Sequence, residues 1–188
     1  MVAVVAVDEP LTASIAANGA TTQYRYDDLG NQLSETSPDR GTISYGYDEA
    51  GNVTTKTDAR NITAQYRYDA LGRLTTIDLP GTDEDTTFSY DTCSNGLGRL
   101  CQITDQSGTT QYSYDAYGNL AQQHKTELGH TYTTAYSYDS LDRLSTLTHP
   151  DGRIINYQRD SLGRTSEIST TLNVLRCGTP GATSVTQE

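Results

Sequence analysis

The stretch Tyr66-Arg67-Tyr68-Asp69-Ala70-Leu71-Gly72-Arg73-Leu74 decides the fold. Tyr66 and Tyr68 stand two apart, which places both rings on one face of a strand. Asp69 opens a turn, because its carboxylate accepts a backbone amide two residues on. Gly72 supplies the positive φ that closes a hairpin. Arg73 and Leu74 then begin a second strand. The stretch predicts strand, tight turn, strand.

The phrase recurs along the chain. Tyr26-Asp27, Tyr47-Asp48, Tyr68-Asp69, Tyr90-Asp91, Tyr114-Asp115 and Tyr138-Asp139 follow one another at steps of 21, 21, 22, 24 and 24 residues. Near-constant spacing marks a repeat. A seventh copy, Tyr157-Gln158-Arg159-Asp160, has Arg159 at the place of the second Tyr. An aromatic lies two residues before the Tyr of each full copy: Tyr24, Tyr45, Tyr66, Phe88, Tyr112 and Tyr136. Gly30, Gly51, Gly72, Gly118 and Gly163 close their turns, and Asp142 takes that place in the sixth copy. In the fourth, an insertion from Thr92 to Gly96 lengthens the turn, and Gly98 stands before Arg99-Leu100.

Past each turn an aliphatic residue often recurs three positions later, as in Leu74 and Ile77 or Leu144 and Leu147. That spacing does not fit a plain period-two strand. It implies either a bulge or a strand covered on both faces. Return turns such as Pro38-Asp39-Arg40-Gly41 and Pro150-Asp151-Gly152 carry turn chemistry.

The expected fold is all-β: tandem hairpins in an antiparallel sheet of about fourteen strands, curled because open sheets beyond about ten strands curl or split. Residues 1–20 read as an incomplete first repeat or leader strand, 21–169 as seven hairpins, and 170–188 as an irregular or disordered tail. A lone hairpin is barely stable, so neighbours must stack, and rows of Tyr supply the cohesion.

The composition agrees with thinly buried sheet faces. There are 14 Tyr, one Phe, one Met and no Trp, and hydrophobic residues make up 34%. The net charge is −11, with a pI near 4.5. Such a surface repels phosphate backbones and anionic lipids, which argues against a nucleic-acid partner and against membrane docking. No apolar run approaches the roughly 20 residues of a membrane span. Val2 to Val7 lacks the basic flank and long apolar core of a signal peptide.

Candidate sites are few. Cys93 and Cys101 flank the insertion and are placed to bridge across it, with free thiols an equal alternative; Cys177 is left over. His124, His130 and His149 have no Cys or carboxylate at ligand spacing, so no metal or other cofactor is expected. The repeated Asp favours turn formation over calcium binding. No nucleophile, acid/base pair or phosphate loop stands out, so the chain does not read as an enzyme. Asn52-Val53-Thr54 and Asn61-Ile62-Thr63 match glycosylation sequons by pattern alone. Tyr rows beside Asn, Asp and Gln are suited to stacking on glycans, but packing between hairpins is the favoured role.

Between Thr21 and Arg164 the recurring Tyr-Asp-x-x-Gly-Arg-Leu phrase resembles the YD-repeat, or Rhs-repeat, family. The resemblance implies hairpins that spiral into a hollow β-shell. In bacterial members such shells enclose a C-terminal toxin polypeptide, and in animal teneurins they serve adhesion. It therefore implies a secreted or cell-surface protein whose partner is an enclosed or C-terminal effector of a larger parent chain, with glycan binding or adhesion as the alternative. No segment resembling the self-cleaving core of such proteins follows the repeats, and seven hairpins are too few for a shell. The expectation is a slice of wall.

Overall fold

The structure is a computed structural model that describes residues 4–7, 11–15, 19–81 and 84–172. All regular structure among the described residues is β. The strands are β1 (Val4–Val7), β2 (Leu11–Ile15), β3 (Thr21–Tyr26), β4 (Gln32–Ser37), β5 (Gly41–Tyr47), β6 (Val53–Thr57), β7 (Thr63–Tyr68) and β8 (Leu74–Asp78). They continue as β9 (Thr86–Tyr90), β10 (Leu100–Asp105), β11 (Gly108–Tyr114), β12 (Leu120–Glu127), β13 (His130–Tyr138), β14 (Leu144–Thr148), β15 (Arg153–Arg159) and β16 (Thr165–Leu172). Strand order in the sheet follows the chain. Two compact units divide the chain, Met1–Phe88 and Ser89–Glu188.

Within each unit the pairing is antiparallel and local. Each of the seven repeats is one hairpin, from β3–β4 to β15–β16, and β1 pairs with β2 ahead of them. The strand count thus follows from two strands per repeat plus the leading pair. β16 extends to Leu172, with Thr170, Thr171 and Leu172 opposite Ile155, Ile154 and Arg153. The irregular tail expected from residue 170 therefore does not begin before Leu172, because β15 offers these residues a ladder. The remainder of that expectation, with Cys177, lies outside the described residues.

The three-residue spacing is a bulge. Tyr68 lies opposite Leu74, Arg67 opposite Thr76 and Tyr66 opposite Ile77, so Thr75 is the extra residue. One inserted residue restores phase and sets Leu74 and Ile77 on the tyrosine face. The same shift falls at Arg25/Tyr26, Gly46/Tyr47, Ser113/Tyr114, Ser137/Tyr138 and Gln158/Arg159.

Burial is shallow. Among the described residues only Ala64 and Cys101 are buried hydrophobics, and no large side chain is fully buried. β7 shows the pattern well: Tyr66 and Tyr68 are half-buried, while Gln65 and Arg67 on the other face are exposed. Thr-rich strand ends are tied by cross-strand hydroxyl pairs instead, at Thr36–Thr42 (3.0 Å), Thr57–Thr63 (2.8 Å) and Thr126–Thr131 (3.0 Å).

Candidate functional site

The recurring site is the turn end of each hairpin, where Asp, Gly and the second Tyr converge. At Asp69, the backbone N–H donates to the Arg73 carbonyl (3.0 Å) and the carbonyl accepts from Gly72 N–H (3.0 Å). This is a three-residue hairpin loop with a left-handed closing residue, Gly72 at φ 73°. The Asp69 carboxylate fills the loop. Oδ1 accepts from the amides of Leu71 (2.9 Å) and Arg73 (2.9 Å), and Oδ2 accepts from Arg73 Nε (2.7 Å).

The residue after the Gly explains why Asn and Arg alternate there. Both present an N–H to the second carboxylate oxygen. Asn31 Nδ2 reaches Asp27 (2.9 Å), Asn52 reaches Asp48 (2.9 Å) and Asn119 reaches Asp115 (3.2 Å). Arg143 Nε reaches Asp139 (2.8 Å) and Arg164 Nε reaches Asp160 (2.8 Å). Donors directed at the charged form hold these carboxyls below their ordinary range. For Asp139 the Arg143 side chain is the largest cause, and its pKa is lowered to about 2. At Asp115 partial burial opposes the shift, but the bonds from Asn119, Tyr117 and Gly118 outweigh it.

Asp142, which replaces the closing Gly in the sixth copy, adopts φ 56° and donates its N–H to the Asp139 carbonyl (3.0 Å). It also accepts from Asn119 Nδ2 of the preceding hairpin (3.0 Å). Sequence reasoning missed a return turn of the same type. Asp58 accepts from the amides of Arg60 (2.9 Å) and Ile62 (3.0 Å), with Asn61 at φ 61°. An Asp followed three residues later by Asn was the available signal.

The second tyrosine links one hairpin to the one before it. Tyr47 Oη donates to the Gln32 carbonyl (2.8 Å), Tyr68 to Val53 (2.9 Å), Tyr114 to Leu100 (2.7 Å) and Tyr138 to Leu120 (3.0 Å). Each acceptor is the first residue of the preceding hairpin's second strand. The seventh copy keeps the link. Arg159 Nη2 donates to the Leu144 carbonyl (3.0 Å), so Arg159 occupies the tyrosine's place and does its work. Partial burial, the largest cause, raises the phenol pKa of Tyr47, Tyr68, Tyr114 and Tyr138, so each hydroxyl keeps its donor proton at neutral pH.

In the fourth copy, Tyr90-Asp91 precedes the insertion. Asp91 Oδ1 accepts from Gly98 N–H (2.6 Å), and Cys93 and Cys101 are joined as a disulfide with their Cα atoms 5.4 Å apart. Arg99 donates through Nε to the Gly118 carbonyl (3.1 Å) and lies 5.5 Å from the centre of the Tyr114 ring. The three histidines do not converge. His124 pairs with Thr133 (2.9 Å) and Gln122 (3.1 Å). Among the described residues no cluster of three or more His, Cys, Asp or Glu is disposed to hold a metal.

The RHS Repeat family matches residues 10–42, 47–84, 95–131 and 123–154, which together span most of the chain. This chain belongs to the RHS repeat family. It is similar in fold to a crystal structure of TcdB2-TccC3-Cdc42, with a TM-score of 0.68, 18% identity, and coverage of 87% of this chain and 11% of that one. It is likewise similar to TcdB2-TccC3 without its hypervariable C-terminal region, at a TM-score of 0.68, 18% identity, and 86% and 11% coverage. The Photorhabdus luminescens Tc holotoxin pore also matches, at a TM-score of 0.64, 18% identity, and 86% and 11% coverage. The chain thus spans about a ninth of the length of these toxin-complex chains. No curated protein matches it.

Proposed function

We propose that this RHS repeat chain serves as a length of wall in a larger secreted toxin-type protein, where the wall encloses or presents an effector polypeptide. The observation that carries the reading is the tyrosine link. The hydroxyls of Tyr47, Tyr68, Tyr114 and Tyr138, and the Arg159 guanidinium, are committed to the backbone of the hairpin before, so the repeated residues hold hairpin to hairpin and leave little chemistry over. Two further observations support it. The toxin-complex chains of the same fold are far longer, with 87% of this chain covering 11% of one of them. Apolar side chains also stand exposed at the hairpin tips, at Leu29, Leu71, Leu97, Leu141 and Leu162.

The proposed role is non-catalytic and needs no cofactor. Nothing in the geometry favours glycan binding, since the Tyr rows are engaged with neighbouring hairpins. Tyr112, for example, lies beside Tyr114 and Tyr136. Limited proteolysis of the full-length protein tests the enclosure. The effector segment should survive protease concentrations that degrade the same segment expressed alone. Equal cleavage of the two would overturn the reading.

A further inference from the structure

We infer that the Cys93–Cys101 disulfide is the latch of a redox-sensitive clasp that holds the β9–β10 turn against β11. The starting point is a gap in the backbone ladder. β10 and β11 pair from Gln102–Gln111 to Asp105–Gly108, and no rung continues to Tyr112 or Tyr114. β4 and β5 part in the same way beyond Ser34–Ser44, where the hydroxyl of Tyr47 reaches across to Gln32.

At β11 the gap receives more than a tyrosine hydroxyl. The insertion folds over it, so that the Ser94 carbonyl accepts from Tyr114 N–H (3.3 Å) and Asn95 Nδ2 donates to the Tyr114 carbonyl (2.9 Å). Both backbone groups of one strand residue are thus held by two adjacent loop residues. The insertion is in turn shaped by the bridge. Gly96 donates to the Cys93 carbonyl (3.0 Å) and accepts from Arg99 N–H (2.8 Å), and Cys93 N–H points at Cys101 Sγ (3.0 Å). Gly96 is buried against both sulfurs. A Cβ there would lie 2.3 Å from Cys93 Sγ and 2.6 Å from Cys101 Sγ. The loop that grips Tyr114 is therefore wound around the disulfide itself.

The two sulfurs are not equivalent. Cys101 is 3% exposed, whereas Cys93 is only half-buried. A thiolate of an external dithiol attacks Cys93 Sγ, the S–S bond breaks, and its electron pair leaves on Cys101 Sγ, which takes a proton from water. The reagent's second thiolate then attacks its own sulfur in the mixed disulfide and releases Cys93 as a thiol, leaving the reagent as a cyclic disulfide. With the bridge open, the segment between the cysteines regains the freedom that the cross-link removed. Ser94 and Asn95 then release Tyr114, while the β10–β11 ladder stays paired. The clasp is open under reducing conditions and closed under oxidising ones, whatever surrounds the chain.

The test is amide hydrogen exchange on the 188-residue chain carrying Cys177→Ser, which removes the third thiol, with and without dithiothreitol. Alkylation and mass measurement count the thiols. In the reduced protein the Tyr114 amide should exchange at least about tenfold faster, while ladder amides in β10 and β11 change by less than about twofold. Asn95→Ala should accelerate Tyr114 exchange in the oxidised protein. An unchanged Tyr114 rate with two alkylated thiols would overturn the clasp. So would a common acceleration of Tyr114 and the ladder, which would make the bridge a general staple, or two free thiols before any reductant is added.

Discussion

At Tyr47, Tyr68, Tyr114 and Tyr138 the second tyrosine of the repeat answers two needs with one side chain. Its ring covers the sheet face beside the bulge, and its hydroxyl reaches a carbonyl of the preceding hairpin. Removing the oxygen alone separates the two contributions. Tyr68→Phe keeps the ring and loses the bond to Val53, and should cost about 0.5–1.5 kcal/mol in urea unfolding. The turn aspartates act at the same scale. Asp139 ionises near 2 in the folded chain against an ordinary 3.8. The unfolded chain therefore takes up this proton first as pH falls. Stability from Asp139 is fully present above about pH 4 and is lost between about pH 4 and pH 2. A carboxyl titration followed by NMR should place Asp139 at about 2, and Arg143→Ala should move it up.

At the scale of the hairpin, the turn and the bulge set the geometry together. The loop demands a left-handed residue at its third and last position, and Gly72 meets that demand at φ 73°, with a would-be Cβ in no more than ordinary contact, 4.0 Å from Asn52 Oδ1. Gly72→Ala thus introduces backbone strain without a side-chain clash. Thermal unfolding should report a loss of about 1–2 kcal/mol. Much at this scale was legible in the sequence. Alternating Tyr-x-Tyr fixed strand and face, and Asp-x-x-Gly fixed the loop, because both depend on residues only two or three apart. The Leu74–Ile77 spacing announced an irregularity but could not choose its kind, since a bulge is a property of two strands in register. The reach of Tyr68 to Val53, fifteen residues away, had no local signature. For the same reason Arg159 read as a degraded position, although its guanidinium makes the link that a phenol makes elsewhere. The Asp58 turn was overlooked because its closing residue is Asn61 rather than glycine.

Across the whole molecule, stability is spread thinly. With Ala64 and Cys101 the only buried hydrophobics among the described residues, no single centre holds the fold. Within each unit, hairpins instead hold their neighbours through ladder bonds, with tyrosine links and threonine pairs at several of the joins, the energetics of a one-dimensional array. Such an array can be lengthened by adding units of the same kind, which suits a wall and explains why the repeated residues are structural ones. Cryo-electron microscopy of the full-length protein tests this most directly. A hollow wall of consecutive hairpins is expected, with this chain as one continuous stretch and an effector segment within or presented by it. A compact globule with no cavity bounded by these hairpins would contradict it.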